Sequence, residues 1–237
     1  MNKLAVVTGG TRGLGAAIGA VLAGAGYQVV ALGRRRPDAG PPDGVGFIAC
    51  DVATPASVVE AFAQLRAAHG RIDVLVNNAG VAGADRLGDP LDPQWDRLID
   101  TNLSGAYRCT QAALPLFPAE GGRIVFVSSV LGLRAVPDQI AYTASKHGVI
   151  GLAKAFALAL APRGITSNAV CPGWIATDMA RSRYAELGID EDGARRGVPT
   201  GSILQPEEVA AAVLYLCSDA ARNVTGHSLV IDGGATA

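Results

Sequence analysis

The chain has 237 residues, of which 49% are hydrophobic and 17% charged, so it is long enough for one large α/β domain and is not a disordered chain. A formal net charge of −1 argues against nucleic acid or an anionic membrane surface as the partner. The four cysteines and three histidines lack C-x-x-C and H-E-x-x-H spacing, so we expect buried reduced thiols and no metal site.

Short apolar runs alternate with longer helical patterns along the whole chain. Runs typical of strands occupy residues 3–8, 27–32, 45–50, 72–77, 122–129, 165–171 and 227–232. Between them the periodicity predicts helices near 13–25, 55–69, 92–117, 140–162 and 206–218. This alternation indicates an α/β fold with a doubly wound parallel sheet of about seven strands, helices on both faces, and a single domain.

Two segments interrupt this alternation. Residues 33–44 form a polar loop, and residues 176–203 are long, charged and weakly helical. Because long excursions in compact domains are usually functional or mobile, we predict a substrate lid at 176–203. The chain starts without signal-peptide architecture, and its most apolar helical run contains Lys154 and is too short to span a bilayer, so we expect a cytoplasmic protein.

The first strand runs into a glycine-rich turn, TGGTRGLG, which opens the first helix. Gly9, Gly13 and Gly15 allow the backbone to turn tightly and to approach a phosphate at the free N–H groups of the helix start. The spacing matches neither G-x-G-x-x-G nor a P-loop, so the strand–turn–helix context carries the prediction of a phosphate site.

Polar residues also follow three later strands. The motifs are NNAG at 77–80, Ser128 with Ser129, and PGWIAT at 172–177. In open parallel sheets, ligands bind beyond the carboxyl ends of the strands, so we expect these motifs to share one site. Tyr142 and Lys146 lie four residues apart in a helical pattern and therefore on one helix face, a spacing that by itself is typical of a surface pair on an amphipathic helix.

Together these residues resemble the short-chain dehydrogenase/reductase family over essentially the whole chain, with 3-oxoacyl thioester reductases as the most similar members. The matching residues are Thr8-Gly9-x-x-x-Gly13-x-Gly15, Asp51, Asn77-Asn78-Ala79-Gly80, Asn102, Ser129, Tyr142-x-x-x-Lys146 and Pro172-Gly173. Each motif is weak separately, and their joint occurrence in this order is specific.

The resemblance implies four catalytic residues. Tyr142 would be the general acid that protonates a carbonyl oxygen, and Ser129 would hydrogen-bond the same oxygen. Lys146 would hold the nicotinamide ribose and lower the pKa of Tyr142, and Asn102 would anchor a water linked to Lys146. A nearby cation does stabilise a phenolate, whose unperturbed pKa is about 10.

The resemblance also implies a nicotinamide dinucleotide, with Asp51 at the adenine, Asn78 at a ribose and Thr177 at the carboxamide. The complete set expected to bind this cofactor is Gly9, Thr11, Arg12, Gly13, Leu14, Gly15, Arg34, Asp51, Val52, Asn78, Ala79, Gly80, Tyr142, Lys146, Pro172, Gly173, Ile175 and Thr177.

The end of the second strand indicates which dinucleotide is bound. An NAD-preferring enzyme places an acidic residue there, whereas this chain has Gly33 followed by Arg34, with Arg12 in the glycine-rich turn. Guanidinium groups bind a 2′-phosphate, so we predict NADP, with NAD as the second choice.

Several questions stay open at this level. The leading hypothesis is reduction of a ketone such as a 3-oxoacyl thioester on acyl carrier protein or coenzyme A, or of a free ketone. For an acidic carrier protein a basic patch at the site mouth is needed, for which Arg163, Arg181, Arg183, Arg195 and Arg196 are candidates, while Glu120 opposes it. The alternatives are a sugar, polyol, steroid or small-alcohol dehydrogenase and, less favoured because Tyr142 and Lys146 are both present, a non-catalytic dinucleotide-binding regulator.

Apolar surface on helices 92–117 and 140–162 predicts a homotetramer.

Overall fold

The computed structural model describes residues 3–38 and 40–237, so Met1, Asn2 and Ala39 of the polar loop lie outside the described residues. One sheet of seven parallel strands has the order β3-β2-β1-β4-β5-β6-β7. The strands are β1 (Leu4–Thr8), β2 (Gln28–Gly33), β3 (Val45–Ala49), β4 (Val74–Asn77), β5 (Gly122–Val127), β6 (Ile165–Pro172) and β7 (Ser228–Ile231). The predicted doubly wound α/β fold is confirmed, with a strand in each expected position.

Helices cover both faces of the sheet. They are α1 (Gly13–Gly24), α2 (Pro55–His69), α3 (Gln94–Leu98), α4 (Gly105–Ala113), α5 (Ile140–Leu160), α6 (Asp178–Leu187), α7 (Glu191–Arg195) and α8 (Pro206–Cys217). Alternate residues of β1 point to opposite faces: Leu4 and Val6 pack under α2, α4 and α5, whereas Ala5 and Val7 pack under α1 and α8. None of the helices among the described residues is long and apolar enough to cross a membrane.

The helix predicted over 92–117 is wrong in detail, because the segment is divided. A π-helical turn, Ile99–Ser104, separates α3 from α4, and a 3₁₀ turn, Leu114–Leu116, follows α4. Tertiary contacts override the 3.6-residue period here, since Asn102 bonds the backbone after β4 and Gly105 lies against Val52. Turns of this kind are frequent at functional sites.

The predicted lid segment is more ordered than a weakly helical pattern indicates. It contains α6 and α7, which with the residues after α7 form a small core made of Ala180, Tyr184, Ala194, Val198 and Ile203. Trp174 packs on Tyr184 with their ring centroids 5.0 Å apart. Thr200 N–H donates to Gly233 O at 3.1 Å, so the last residues of the chain lie against the end of this segment.

Candidate active site

The glycine-rich turn after β1 is tightly packed on the end of β4. A Cβ on Gly15 would lie 2.1 Å from Gly9 O and 2.5 Å from Asn78 Nδ2, so no side chain fits there. Gly9 and Gly13 have φ values of +64° and +51°, a conformation that favours glycine. Lack of space at Gly15 and positive φ values at Gly9 and Gly13 therefore explain why glycine occupies these three positions.

Asn78 supports this turn from the neighbouring strand. Its Nδ2 donates to Thr8 O at 3.0 Å and to Gly9 O at 3.2 Å. In return, Thr8 Oγ1 accepts from the N–H groups of Asn78 and Ala79, both at 3.0 Å. The sequence predicted that Asn78 borders a ribose, and the structure adds a supporting role for its side chain.

The start of α1 fits a dinucleotide phosphate. No side chain caps this helix, and its first turn carries no acidic residue, so its N–H groups are free to bind an anion. A Cβ on Gly13 would meet Thr177 Cγ2 at 3.8 Å, an ordinary contact, so the backbone conformation and not the space favours glycine there. Arg12 and Arg34 are exposed beside the turn.

The residues expected around the rest of the dinucleotide lie at the same edge of the sheet. Asp51 follows β3, and its Oδ1 accepts from Ala53 N at 3.0 Å. Thr177 begins α6 as its N-cap and accepts from Ala180 N at 3.4 Å. The other members of the set at this edge are Thr11, Leu14, Val52, Gly80, Pro172, Gly173 and Ile175.

Ser129 and the start of α5 bring the catalytic candidates together. Ser129 follows β5, and its side chain lies close enough to Tyr142 to lower the pKa of the phenol. Lys146 is 5% exposed, and its Nζ donates to Val127 O at 2.9 Å while lying 5.5 Å from the centroid of the Tyr142 ring. An ammonium has three donor hydrogens, and one is used here, so Lys146 has donors left for ribose hydroxyls.

Burial is the main cause of the pKa shifts of Tyr142 and Lys146. It raises the pKa of Tyr142 to about 12, against which the side chain of Ser129 acts. It lowers the pKa of Lys146 to about 8. The ammonium of Lys146 donates to a backbone carbonyl and lies over the Tyr142 ring, and the expectation that it lowers the pKa of Tyr142 stays a prediction.

Asn102 acts as a clamp between two segments of the site. Its Oδ1 accepts from Val81 N at 2.8 Å, and its Nδ2 donates to Val81 O at 3.0 Å and to Ser145 Oγ at 3.1 Å. Ser145 Oγ donates to Tyr142 O at 2.7 Å, which links the clamp to α5. Both side-chain N–H groups of Asn102 thus donate to protein atoms, so they do not donate to the predicted water.

Three supporting residues were missed by the sequence analysis. Ser145 is described above; Ser128 Oγ donates to Lys146 O at 2.9 Å, and Asp85 accepts from the N–H groups of Ile140 and Ala141 at the start of α5. The position of Ser145 three residues after Tyr142, on the same helix face, was the one available signal. Of the three, Ser128 was expected at the site together with Ser129 but was given no role there.

The basic patch expected at the site mouth is largely not found. Arg163 precedes β6, at the amino edge of the sheet and so opposite to the site of the same subunit, where it donates to Leu114 O at 2.9 Å. Glu120 also lies at that edge, 3.4 Å from Arg71, and therefore does not oppose docking at the mouth. Three lid arginines are neutralised by nearby carboxylates: Arg181 by Asp178, Arg183 by Asp138 and Glu186, and Arg195 by Glu191.

Comparisons with known proteins agree with this geometry. A family model described as enoyl-(acyl carrier protein) reductase matches residues 9–236. The chain is 38% identical to a D-beta-hydroxybutyrate dehydrogenase of Rhizobium meliloti (strain 1021), covering 100% of both. It is 39% identical to an acetoacetyl-CoA reductase of Shinella zoogloeoides, over 99% of this chain and 98% of that protein.

A solved structure supports the same assignment. A variant of actinorhodin polyketide ketoreductase with NADPH superposes with a TM-score of 0.91 at 35% identity, and the match covers 99% of this chain and 97% of that one. The chain is an oxidoreductase that belongs to the short-chain dehydrogenase/reductase family, whose members bind a nicotinamide dinucleotide.

Proposed function

We propose that the protein is an NADPH-dependent reductase that converts a 3-oxoacyl thioester, or a related β-keto compound, into the corresponding secondary alcohol. The observation that carries the proposal is the grouping of Ser129, Tyr142 and Lys146 at the sheet edge that also holds the uncapped start of α1. The relatives named above act, by their names, on hydroxybutyrate and acetoacetyl-CoA, which are β-hydroxy and β-keto compounds.

The reaction adds a hydride and a proton across a carbonyl group. The reduced nicotinamide supplies the hydride to the carbonyl carbon when it is bound. Tyr142 gives its phenolic proton to the carbonyl oxygen as general acid, and the raised pKa keeps this proton in place at neutral pH. The hydroxyl of Ser129 orients the same oxygen, and Lys146 holds the cofactor through its free ammonium hydrogens.

The preference for NADPH rests on charge at the end of β2. Arg12 and Arg34 are exposed beside the glycine-rich turn, and neither takes part in an ion pair within residues 3–38 and 40–237. A 2′-phosphate would pair with these guanidinium groups. A Cβ on Gly33 would lie 2.7 Å from Thr11 Cγ2, so an acidic residue at this position requires Thr11 to move.

The cofactor is tested by removing the two arginines while leaving Gly33 unchanged. We expect Arg12→Met with Arg34→Met to lower the kcat/KM ratio of NADPH over NADH by about tenfold or more for each guanidinium, since a hydrogen bond to a charged group is worth about 1.5–3 kcal/mol. Arg36→Met, in the same exposed loop, is the matched control and should leave the ratio unchanged. A wild-type enzyme that already prefers NADH would overturn this part of the proposal.

The substrate is tested with a panel followed by NADPH absorbance. It contains acetoacetyl-CoA, acetoacetyl-acyl carrier protein, free acetoacetate and an enoyl thioester, together with a sugar, a polyol and a steroid tested in the oxidation direction. The highest kcat/KM is expected for a β-keto compound. A higher value for any sugar, polyol or steroid would replace the proposed substrate class, and activity with none would favour a non-catalytic dinucleotide-binding protein.

The cellular setting follows from the thiols. All four cysteines, Cys50, Cys109, Cys171 and Cys217, are free and buried. Free thiols fit a reducing compartment, and we propose the cytoplasm as the place of the reaction.

A further inference from the structure

One face of α4 lies against the turn that follows β3. Gly105, Arg108 and Cys109 are at positions i, i+3 and i+4 and therefore share this face. The turn at residues 50–53 carries Asp51, which the family resemblance puts at the adenine, and Val52, which is expected to bind the same cofactor.

The contacts across this face are close and varied. A Cβ on Gly105 would lie 2.8 Å from Val52 Cγ2, and the buried thiols of Cys50 and Cys109 are close enough for each to shift the pKa of the other. Arg108 Nη1 donates to Ala53 O at 3.0 Å. The start of α4 is thus fixed to the adenine-side turn at three points.

Arg108 also reaches in the opposite direction, to the π-helical turn. Its Nη2 donates to Asp100 Oδ1 at 3.2 Å, and its Nη1 approaches Asp100 O at 3.5 Å. This turn contains Asn102, which clamps Val81 and Ser145 beside the catalytic helix. One planar guanidinium therefore joins the adenine-side turn to the segment that supports the catalytic end.

We propose that Arg108 is a positioning residue that fixes the spacing between the adenine end and the nicotinamide end of the cofactor groove. This inference rests on the proposed function, which assigns the two ends. A ligand that occupies both ends gains affinity only when the two half-sites are held in register, as in any linked pair of binding events. A ligand that occupies one end alone does not depend on that spacing.

The test compares a complete cofactor with half of it, using Arg108→Met, which keeps much of the side-chain length. We expect the Kd of NADP⁺ to rise about tenfold, within the range usual for couplings between parts of a site, while that of adenosine 2′,5′-bisphosphate changes by less than about twofold. Both are measured by titration calorimetry. Arg163→Met is the matched control, because Arg163 also donates to a backbone carbonyl but lies at the amino edge of the sheet, and both affinities should stay at their wild-type values.

Two results would overturn the inference. Equal losses for NADP⁺ and the bisphosphate would show that Arg108 only holds the adenine-side turn, and no loss for either would show that the bridge is dispensable. If wild-type enzyme prefers NADH, the same comparison is made with NAD⁺ and ADP, so failure of the proposed cofactor preference is distinguished from failure of the role given to Arg108.

Discussion

At the scale of single residues, the site depends on two buried titratable groups whose pKa values are moved in opposite directions. Burial keeps Tyr142 protonated and favours loss of the proton from Lys146. Spacing and strand-end position pointed to both residues and to Ser129, and the family resemblance supplied their roles. The roles of Ser128 and Ser145 were not predicted, because a serine that bonds a backbone carbonyl does so at many positions of a helix or strand end.

Removal of the phenolic hydroxyl should separate catalysis from binding. Tyr142→Phe is expected to lower kcat by about 100-fold or more, the usual contribution of a general acid, because the variant lacks the phenolic proton that is proposed to reach the carbonyl oxygen. The Kd of NADPH should change by no more than a few-fold, as measured by fluorescence titration. A variant that keeps more than about a tenth of the wild-type kcat would contradict the role given to Tyr142.

The lowered pKa of Lys146 gives a pH dependence with a definite sign. The ammonium that is proposed to hold the ribose loses its proton near pH 8 in the free enzyme, so kcat/KM for NADPH should fall above about pH 8. Lys146→Arg keeps its charge throughout this range and should show no such inflection, although its turnover is slower. At pH 10, about two units above this pKa, almost all of the ammonium form should be lost, and kcat/KM with it. A wild-type kcat/KM that stays constant up to pH 10 would therefore be inconsistent with this pKa.

The same group affects folding stability in the opposite direction. Its pKa is 10.5 in the unfolded reference and about 8 in the folded protein. Between these values the unfolded chain binds more protons, so the free energy of unfolding gains a positive slope with pH from this residue. As the pH rises from about 8 to 10.5, this residue is therefore expected to lower kcat/KM and to raise the free energy of unfolding.

At the scale of elements, the regular strands and helices were predicted closely and the π-helical turn was not. The apolar run LAVVT and the helical pattern of α5 can both be recognised from the local sequence alone. The turn at Ile99–Ser104 depends on contacts of Asn102 and Gly105 with segments distant in sequence. The local sequence around this turn does not show which distant segments Asn102 and Gly105 will contact.

The lid is joined to the loop before α5 by one ion pair. Arg183, whose side chain is 10% exposed, pairs with Asp138 in that loop. We expect Asp138→Asn to speed hydrogen exchange in α6 several-fold in the absence of ligand, because the largely buried arginine then keeps only Glu186 of α6 itself and loses the charged partner outside this helix. NADPH should slow exchange in α6 of the wild-type protein.

The matched control for the lid is Asp178→Asn. It removes an exposed pair with Arg181 within α6, of the kind that contributes about 1 kcal/mol or less, and it should leave exchange nearly unchanged. Exchange in α6 that is already slow in the free enzyme and does not respond to NADPH would refute the prediction of a mobile lid.

At the scale of the whole molecule, an apolar helix surface remains uncovered. On α5, Gly151, Ala155, Leu158 and Ala159 are exposed on one face, and Leu158 is 83% exposed. Small residues permit close approach of a second helix, and closed symmetric assemblies are common among soluble proteins. The prediction of a homotetramer assembled through this face therefore stands.

Light scattering measures this assembly directly. Wild-type protein should have about four times the 24.1 kDa mass of one chain, and Leu158→Arg should lower that mass. Val59→Arg is the control, since Val59 is 68% exposed on α2, away from this face. A wild-type mass close to that of one chain would end the prediction.

The contact between the last residues and the lid matters for how the protein is purified. Gly233 accepts a hydrogen bond from Thr200, and a Cβ on Gly234 would lie 3.4 Å from Pro199. An affinity tag fused after Ala237 would therefore emerge beside the segment proposed to close over the substrate. A tag ahead of β1 would emerge at the amino edge of the sheet, away from the site, and is the better choice for kinetic work.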